Sequence, residues 1–421
     1  ALDQYLAFLT IYGNDADQDL PVNLQIWDAS ACLKYGEVLE QYTFEVDNVV
    51  GSVGDPVVLH TNSQVLRDIP LTTGWNWISF NLGLPDPGLN AALSSLQHPE
   101  NDLFKSQSAF SEYFSGNWLG SLNAVNNTGM FQYRADVPDT IHMTGALIDP
   151  ASVHIPVAAG WNWIGYVPNY ALPLNEALAG LTPLNGDIIK GQTAFAQYLA
   201  GFGWLGSLQF MEAPKGYQLK ISNAGTLTYP ADNLSGNAVA ARGKPTETAG
   251  FWNVDPSQYE YSMTLVGMLQ TDGQNATLPT HELGAFAGNE LRGSVQAIYV
   301  EPLNAYLFFL TAFANTSGEQ LTFKLYDSAS GQVNELTEKM YFSANLQEGS
   351  IQDPKPFTLQ TSGLSETSAP LFLNVEPNPF GPETTILFGS GQAGEVQMSV
   401  SDVSGRIVLR QKISAVPGLN R

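Results

Sequence analysis

An internal repeat limits the architecture of this chain more than any other feature. Residues 74–80 read GWNWISF and residues 160–166 read GWNWIGY. The match then continues in order. Asp102-Leu103-Phe104-Lys105 answers Asp187-Ile188-Ile189-Lys190. Gln107, Ala109, Phe110 and Tyr113 answer Gln192, Ala194, Phe195 and Tyr198. Trp118-Leu119-Gly120-Ser121-Leu122 answers Trp204-Leu205-Gly206-Ser207-Leu208, and upstream Ile69-Pro70 answers Ile155-Pro156. We therefore place two tandem modules at 56–141 and 142–230. In each, the tryptophans follow a glycine in a strand, with Trp75 and Trp77 on one face. Leu89, Ala92, Leu93 and Leu96 carry the spacing of a short helix packed on a sheet, as do Leu174, Ala177, Leu178 and Leu181. Phe110 and Tyr113, or Phe195 and Tyr198, are expected on a second short helix or turn. Strands around Trp118 to Tyr133, or Trp204 to Ile221, close each unit. These modules are read as α+β.

A second repeat joins the two ends of the chain. Tyr5-Leu6-Ala7-Phe8-Leu9-Thr10 resembles Tyr306-Leu307-Phe308-Phe309-Leu310-Thr311, and Trp27-Asp28-Ala29-Ser30 resembles Tyr326-Asp327-Ser328-Ala329. The later copy is preceded by alternating segments that read as strands, including Met263 to Met268 and Glu282 to Phe286. The earlier copy has no such counterpart. Strands at Tyr5–Tyr12 and Val22–Trp27 would then expose unpaired edges. We expect the polypeptide to extend upstream, with strand donation from another chain as the alternative. The resulting division is a partial β-sandwich-like domain at 1–55, the two modules, a linker at 231–250, a β-sandwich-like domain at 251–360, a linker at 361–370 and a C-terminal unit at 371–421. The fold class is mainly β with α+β modules: β-sandwich-like domains flanking two tandem repeats.

Composition narrows the partners. Acidic residues number 40 and basic residues 17, for a net charge of -23. Such a chain cannot replace the counterions of a phosphate backbone, which argues against nucleic acid. No apolar run reaches the ~20 residues of a membrane helix. The single cysteine, Cys32, excludes an internal disulfide framework.

Residues 377–388 read PNPFGPETTILF, followed by the alternating Val396-Gln397-Met398-Ser399-Val400 and then Asp402-Val403-Ser404-Gly405-Arg406. This resembles the C-terminal sorting domain of the Bacteroidota type IX secretion system, whose pattern is a PNPF strand start, an alternating strand and a D-x-x-G-R hairpin. The residues that carry the resemblance are Pro377, Asn378, Pro379, Phe380, Asp402, Gly405 and Arg406. The resemblance covers about 45 residues, by the repeat-and-motif reading, and the chain stops before the final strand such domains carry. It implies export by the type IX machinery and a location outside the cell or on the outer-membrane surface of a Gram-negative bacterium. The GWNWI modules and the ELGAF…LYD run also resemble accessory units of large secreted Bacteroidota proteins, without an assigned chemistry.

The search for chemistry returns little. The five histidines form no metal-spaced pair, and His281-Glu282 lacks the second histidine of a zinc-protease motif. Nucleophile elbow, phosphate loop and dinucleotide fingerprint are absent from the sequence. Asp15, Asp17 and Asp19 form alternate carboxylates that could wrap calcium, the one cofactor considered, but lack the glycine and distal glutamate of an EF-hand. Trp75, Trp161, Trp118 and Trp204 could stack on sugars, although recurrence beside apolar neighbours favours core packing. Thr140 and Ser328 sit in D-[ST]-apolar triplets like the O-glycosylation acceptors of that phylum. Residues shared by both modules (Asp102/Asp187, Lys105/Lys190, Gln107/Gln192) are read as structural, with each Asp–Lys pair a local ion pair on a helix turn. The sequence therefore points to a non-catalytic, multi-module surface or extracellular protein: a stalk, adhesin or filament segment. The alternatives are the accessory tail of a larger secreted enzyme, a glycan-binding module, or self-association by strand donation.

Overall fold

A computed structural model describes residues 6–28, 33–35, 38–61, 64–231, 250–360, 373–376, 385–390, 393–401, 407–416 and 418–420. The chain is mainly β, built from antiparallel sheets, and divides into two compact units, Ala1–Thr358 and Leu359–Arg421.

The first module begins with β1 (Gln64–Leu71) and β2 (Gly74–Ser79), then a one-turn helix α1 (Leu89–Ala92). Strands β3 (Leu103–Lys105), β4 (Phe110–Phe114), β5 (Asn117–Gly120), β6 (Met130–Ala135) and β7 (Asp139–Leu147) follow. One sheet has the order β5-β4-β3-β6-β2. The other pairs β1 with β7 and gains Leu33–Tyr35 at the edge of β1. The second module repeats the plan. It has β8 (Ile155–Val157), β9 (Gly160–Ile164), α2 (Leu174–Ala177), β10 (Ile188–Lys190), β11 (Phe195–Leu199), β12 (Gly203–Gly206), β13 (Tyr217–Ile221) and β14 (Gly225–Leu227). Its main sheet runs β9-β13-β10-β11-β12.

The expected α1 and α2 are present, each a single turn. The second helix or turn is not: Phe110 to Phe114 and Phe195 to Leu199 are strands. In a strand successive side chains point to opposite faces, so Phe110 and Tyr113, three apart, lie on opposite sides, as do Phe195 and Tyr198. The cores are aromatic-rich. In module 1, Phe104 stacks on Phe131 at 4.9 Å and Trp118 packs edge-on to Tyr133 at 5.9 Å.

The GWNW motif makes the turn from which each main sheet starts. Gly74 and Gly160 take φ of 89° and 99°, a left-handed conformation that a side chain would strain. The asparagine then pins the turn. The Asn76 amide donates to Thr72 O at 2.8 Å while its carbonyl accepts from Thr72 N at 2.9 Å. Asn162 does the same to both groups of Ala158, at 2.8 Å each.

The 250–358 region is a two-sheet sandwich. One sheet pairs β15 (Tyr261–Thr271) with β19 (Ala305–Ala314), and β19 with β18 (Ile298–Val300). The other has the order β17 (Glu290–Gln296), β16 (His281–Ala287), β20 (Gln320–Asp327), β21 (Gln332–Tyr341).

The start of the chain departs from expectation. Residues 6–13 are not in a strand, and only Pro21–Val22 and Trp27–Asp28 are strand within the expected 22–27 stretch. No described strand flanks 6–13 to take up its backbone hydrogen bonds, and a strand without a neighbour leaves those groups to water. In the second unit, β22 (Leu373–Glu376) pairs with β23 (Thr385–Ser390). There β24 (Gly394–Ser401) forms an antiparallel pair with β25 (Ile407–Ala415).

Candidate functional site

The residues shared by the two modules converge on one junction. Gln107 of module 1 reaches the GWNW strand of module 2: its amide donates to Trp161 O at 2.8 Å and its carbonyl accepts from Trp163 N at 2.9 Å. Gln192 of module 2 returns the contact, donating to Trp75 O at 2.7 Å and accepting from Trp77 N at 3.1 Å. Backbone bonds repeat the reciprocity. Ser79 N donates to Pro214 O at 2.7 Å, and Gly165 N donates to Thr128 O at 2.9 Å. The modules thus pair about a pseudo-two-fold axis, each glutamine satisfying backbone groups on the other module's edge strand.

The shared lysines lie on the outer faces of the main sheets. Lys105 Nζ sits 4.7 Å from the Trp75 ring centre, and Lys190 Nζ sits 4.7 Å from that of Trp161. Neither is a local partner of its aspartate, which corrects the sequence reading. Lys105 pairs with Glu260 of the sandwich. Lys190 donates to Ser262 Oγ at 3.2 Å and Asn345 Oδ1 at 2.8 Å. Loss of water pulls the Lys190 ammonium down to about 7. The aspartates instead hold the turn after β6 or β13. Asp102 accepts from Tyr133 OH at 2.5 Å and Asp136 N at 2.7 Å; Asp187 accepts from Ser222 N at 2.9 Å. Burial pushes the Asp102 carboxyl up, against the pull of the Tyr133 hydroxyl.

Where the modules meet the sandwich, a cleft of about 730 Å³ opens, within the size range of small-molecule sites. Trp77, Gln192, Tyr217, Trp252, Thr311 and Phe313 line it. Its charges are already matched: Lys215 pairs with Glu212 at 2.6 Å, and the Glu282 carboxylate accepts from Phe251 N at 2.7 Å and Trp252 N at 3.0 Å. Thr311 is 4% exposed and its hydroxyl has no hydrogen-bond partner. The lining is thus aromatic and neutral-polar, suited to holding an uncharged ligand rather than to moving protons.

The sequence-predicted sites are scattered. Trp118 and Trp204 are core residues, against Tyr113 at 5.4 Å and Tyr198 at 5.5 Å. Trp75 is buried and Trp161 half-buried, each beneath its lysine, so neither presents the open ring face that a sugar platform needs. Asp17 folds back onto Asn14 N at 2.7 Å, and Asp19 is bound by Gln18 Nε2 at 3.1 Å. Asp15, Asp17 and Asp19 therefore do not converge; among the described residues no three His, Cys, Asp or Glu side chains gather to hold a metal. Thr140 lies half-buried in β7, where Asp139 caps Gln97 N at 2.7 Å. Ser328 is exposed on the turn after β20, bonded to Thr280 O at 3.0 Å. Cys32 and all seven sorting-motif residues lie outside the described residues. Sequence reasoning read Gln107 and Gln192 as structural without naming their partners, and it missed the cleft. The signal for the glutamines was present, since Gln107 and Gln192 recur at matching positions.

Among the described residues no helix is long and apolar enough to cross a membrane. No protein-family model matches the chain, and neither curated proteins nor solved structures yield a match.

Proposed function

We propose that the chain is a non-catalytic, modular protein exported by the type IX secretion system, working outside the cell or on its outer surface as a stalk, adhesin or filament segment. One observation carries the non-catalytic half. The polar side chains shared by both modules hold neighbouring strands, turns and domains together, so the repeat serves rigidity. Gln107 and Gln192 lock module to module, while Lys105 and Lys190 lock both to the sandwich. The export half rests on the PNPF and D-x-x-G-R elements alone.

Two measurements test these halves separately. Removal of residues 371–421 is expected to leave the protein inside a type IX-competent host; arrival at the surface without them would reject the export reading. Turnover of any glycan, peptide or ester panel by the purified chain would reject the non-catalytic reading. A second reading, binding of a neutral glycan in the cleft, is favoured by the aromatic lining that Trp77, Tyr217, Trp252 and Phe313 give it. Unchanged tryptophan fluorescence across a saccharide panel would reject it.

A further inference from the structure

Module 2 and the sandwich meet face to face. Ile188, Phe195 and Leu199 form one core with Leu307 and Phe309 of β19, the Phe195 and Phe309 rings lying 5.7 Å apart. Further along the same side of β19, Thr311 and Phe313 line the cleft. Gln197 adds a polar contact, accepting from Ile351 N at 2.7 Å.

Both halves of this interface occur twice in the chain. On the module side, Phe110, Phe114 and Leu119 stand where Phe195, Leu199 and Leu205 stand. The register agrees: Phe110 faces Lys105 across β3 and β4, as Phe195 faces Lys190 across β10 and β11. Glu112, an acceptor like Gln197, occupies the matching polar position. On the strand side, residues 6–12 read LAFLTIY against LFFLTAF at 307–313. The row that faces module 2 is kept in type, Leu6, Phe8, Thr10 and Tyr12 matching Leu307, Phe309, Thr311 and Phe313. The row that faces the sandwich interior has drifted, Ala7 for Phe308 and Ile11 for Ala312.

Yet both second halves are open. Phe110, Phe114 and Leu119 are 56%, 59% and 56% exposed, and Phe8 and Tyr12 are 82% and 89% exposed. Their counterparts Phe195 and Phe309 are 0% and 1% exposed. A contiguous apolar patch of this kind marks an interaction surface. It also continues an interface already made, because the sandwich reaches Lys105 next to it.

We infer that the 6–12 segment of this chain is the strand that covers the outer face of module 1, with Phe8 on Phe110 as Phe309 lies on Phe195. β19 presents the same row from a strand paired on both sides, with β15 and β18.

Site-specific photocrosslinking on the purified chain tests this. A benzoylphenylalanine probe replaces Phe110, an exposed position whose substitution spares the fold. A second probe at Phe251, whose ring stacks on Tyr326 at 3.9 Å, reports that the chemistry works. The expected result is linkage of position 110 to a peptide spanning 6–12 of the same chain, lost in the Phe8→Asp variant. Failure of the 110 probe to link while the 251 probe still captures β20 would overturn the inference. Linkage to 6–12 of a different chain would overturn the placement within one chain.

Discussion

Lys190 makes stability depend on pH in a direction opposite to that of an ordinary surface lysine. The residue is 1% exposed, its ammonium held by two neutral acceptors and two indole faces, and burial pulls it from 10.5 to about 7. In the unfolded chain the group stays protonated to its ordinary range, so between about pH 7 and pH 10 the unfolded state binds more protons. Stability must therefore rise with pH across this window. Linkage between these two values gives a gain of about 2 kcal/mol from pH 7 to pH 9. The indole faces favour the ammonium by about 1 kcal/mol, which moves the rise to slightly higher pH without removing it. His281, pulled down by burial, completes its own rise by about pH 7. Burial pushes the phenols of Tyr133, Tyr217 and Tyr229 up, so their linkage runs the other way and sets in as the unfolded phenols ionise, near pH 10. The assay is urea unfolding at pH 7, 8 and 9, followed by amide exchange in β10 and β15, because a chain of several domains need not unfold in one step. Wild type should gain midpoint with pH, and Lys190→Met should lose the slope. A flat wild-type profile, or a slope that survives in the methionine variant, would refute the claim that this lysine folds largely uncharged.

Three further outcomes follow from the junction. Gln192→Ala leaves the Trp75 carbonyl and Trp77 N–H without their partner in a half-buried site and should cost about 2 kcal/mol, whereas Gln107→Ala, at an exposed site where water can replace it, should cost about 1 kcal/mol or less; equal costs by denaturant titration would contradict the asymmetry. Gly74→Ala should destabilise more than Gly160→Ala, because both strain a positive φ but only at Gly74 would the new methyl carbon meet Ser257 O of the sandwich, at 2.2 Å; faster amide exchange in residues 255–262 of the Gly74 variant alone is the readout. Thr311→Val removes an unpartnered buried hydroxyl and should raise stability of the ligand-free protein by about 1 kcal/mol; a loss in thermal unfolding would mean that the hydroxyl has a partner.

Much of the fold was legible because period and repeat report the same physics. The apolar runs Met263 to Met268 and Glu282 to Phe286 marked β15 and β16, which are buried on both faces over most of their length. The 0, 3, 4, 7 spacing found α1 and α2, since one apolar turn suffices to cover a sheet edge. The segment around Phe110 and Tyr113 misled. Aromatics three apart fit a helix face, but Tyr113 pairs with Trp118 across β4 and β5, a cross-strand contact that one-dimensional spacing does not carry. The 6–13 stretch misled differently. Its letters are those of β19, yet strand structure is a property of a sheet, and letters do not supply neighbours.

The site was less legible because the repeat reports that a residue matters without reporting to whom. Lys105 and Asp102 are three apart, and local arithmetic makes them partners; in the folded chain they project to opposite sides of β3, one into a core turn and one onto the sandwich. Gln107 and Gln192 look like spare polar residues until the modules are set side by side, when each completes the other's first strand. The two copies then diverge where their surroundings differ. Lys105 meets a carboxylate at a half-open edge, while Lys190 meets neutral acceptors in a closed one, so one duplicated lysine serves once as a charge and once as a buried donor. That divergence is what a single sandwich seated off the pseudo-axis imposes on two equal modules.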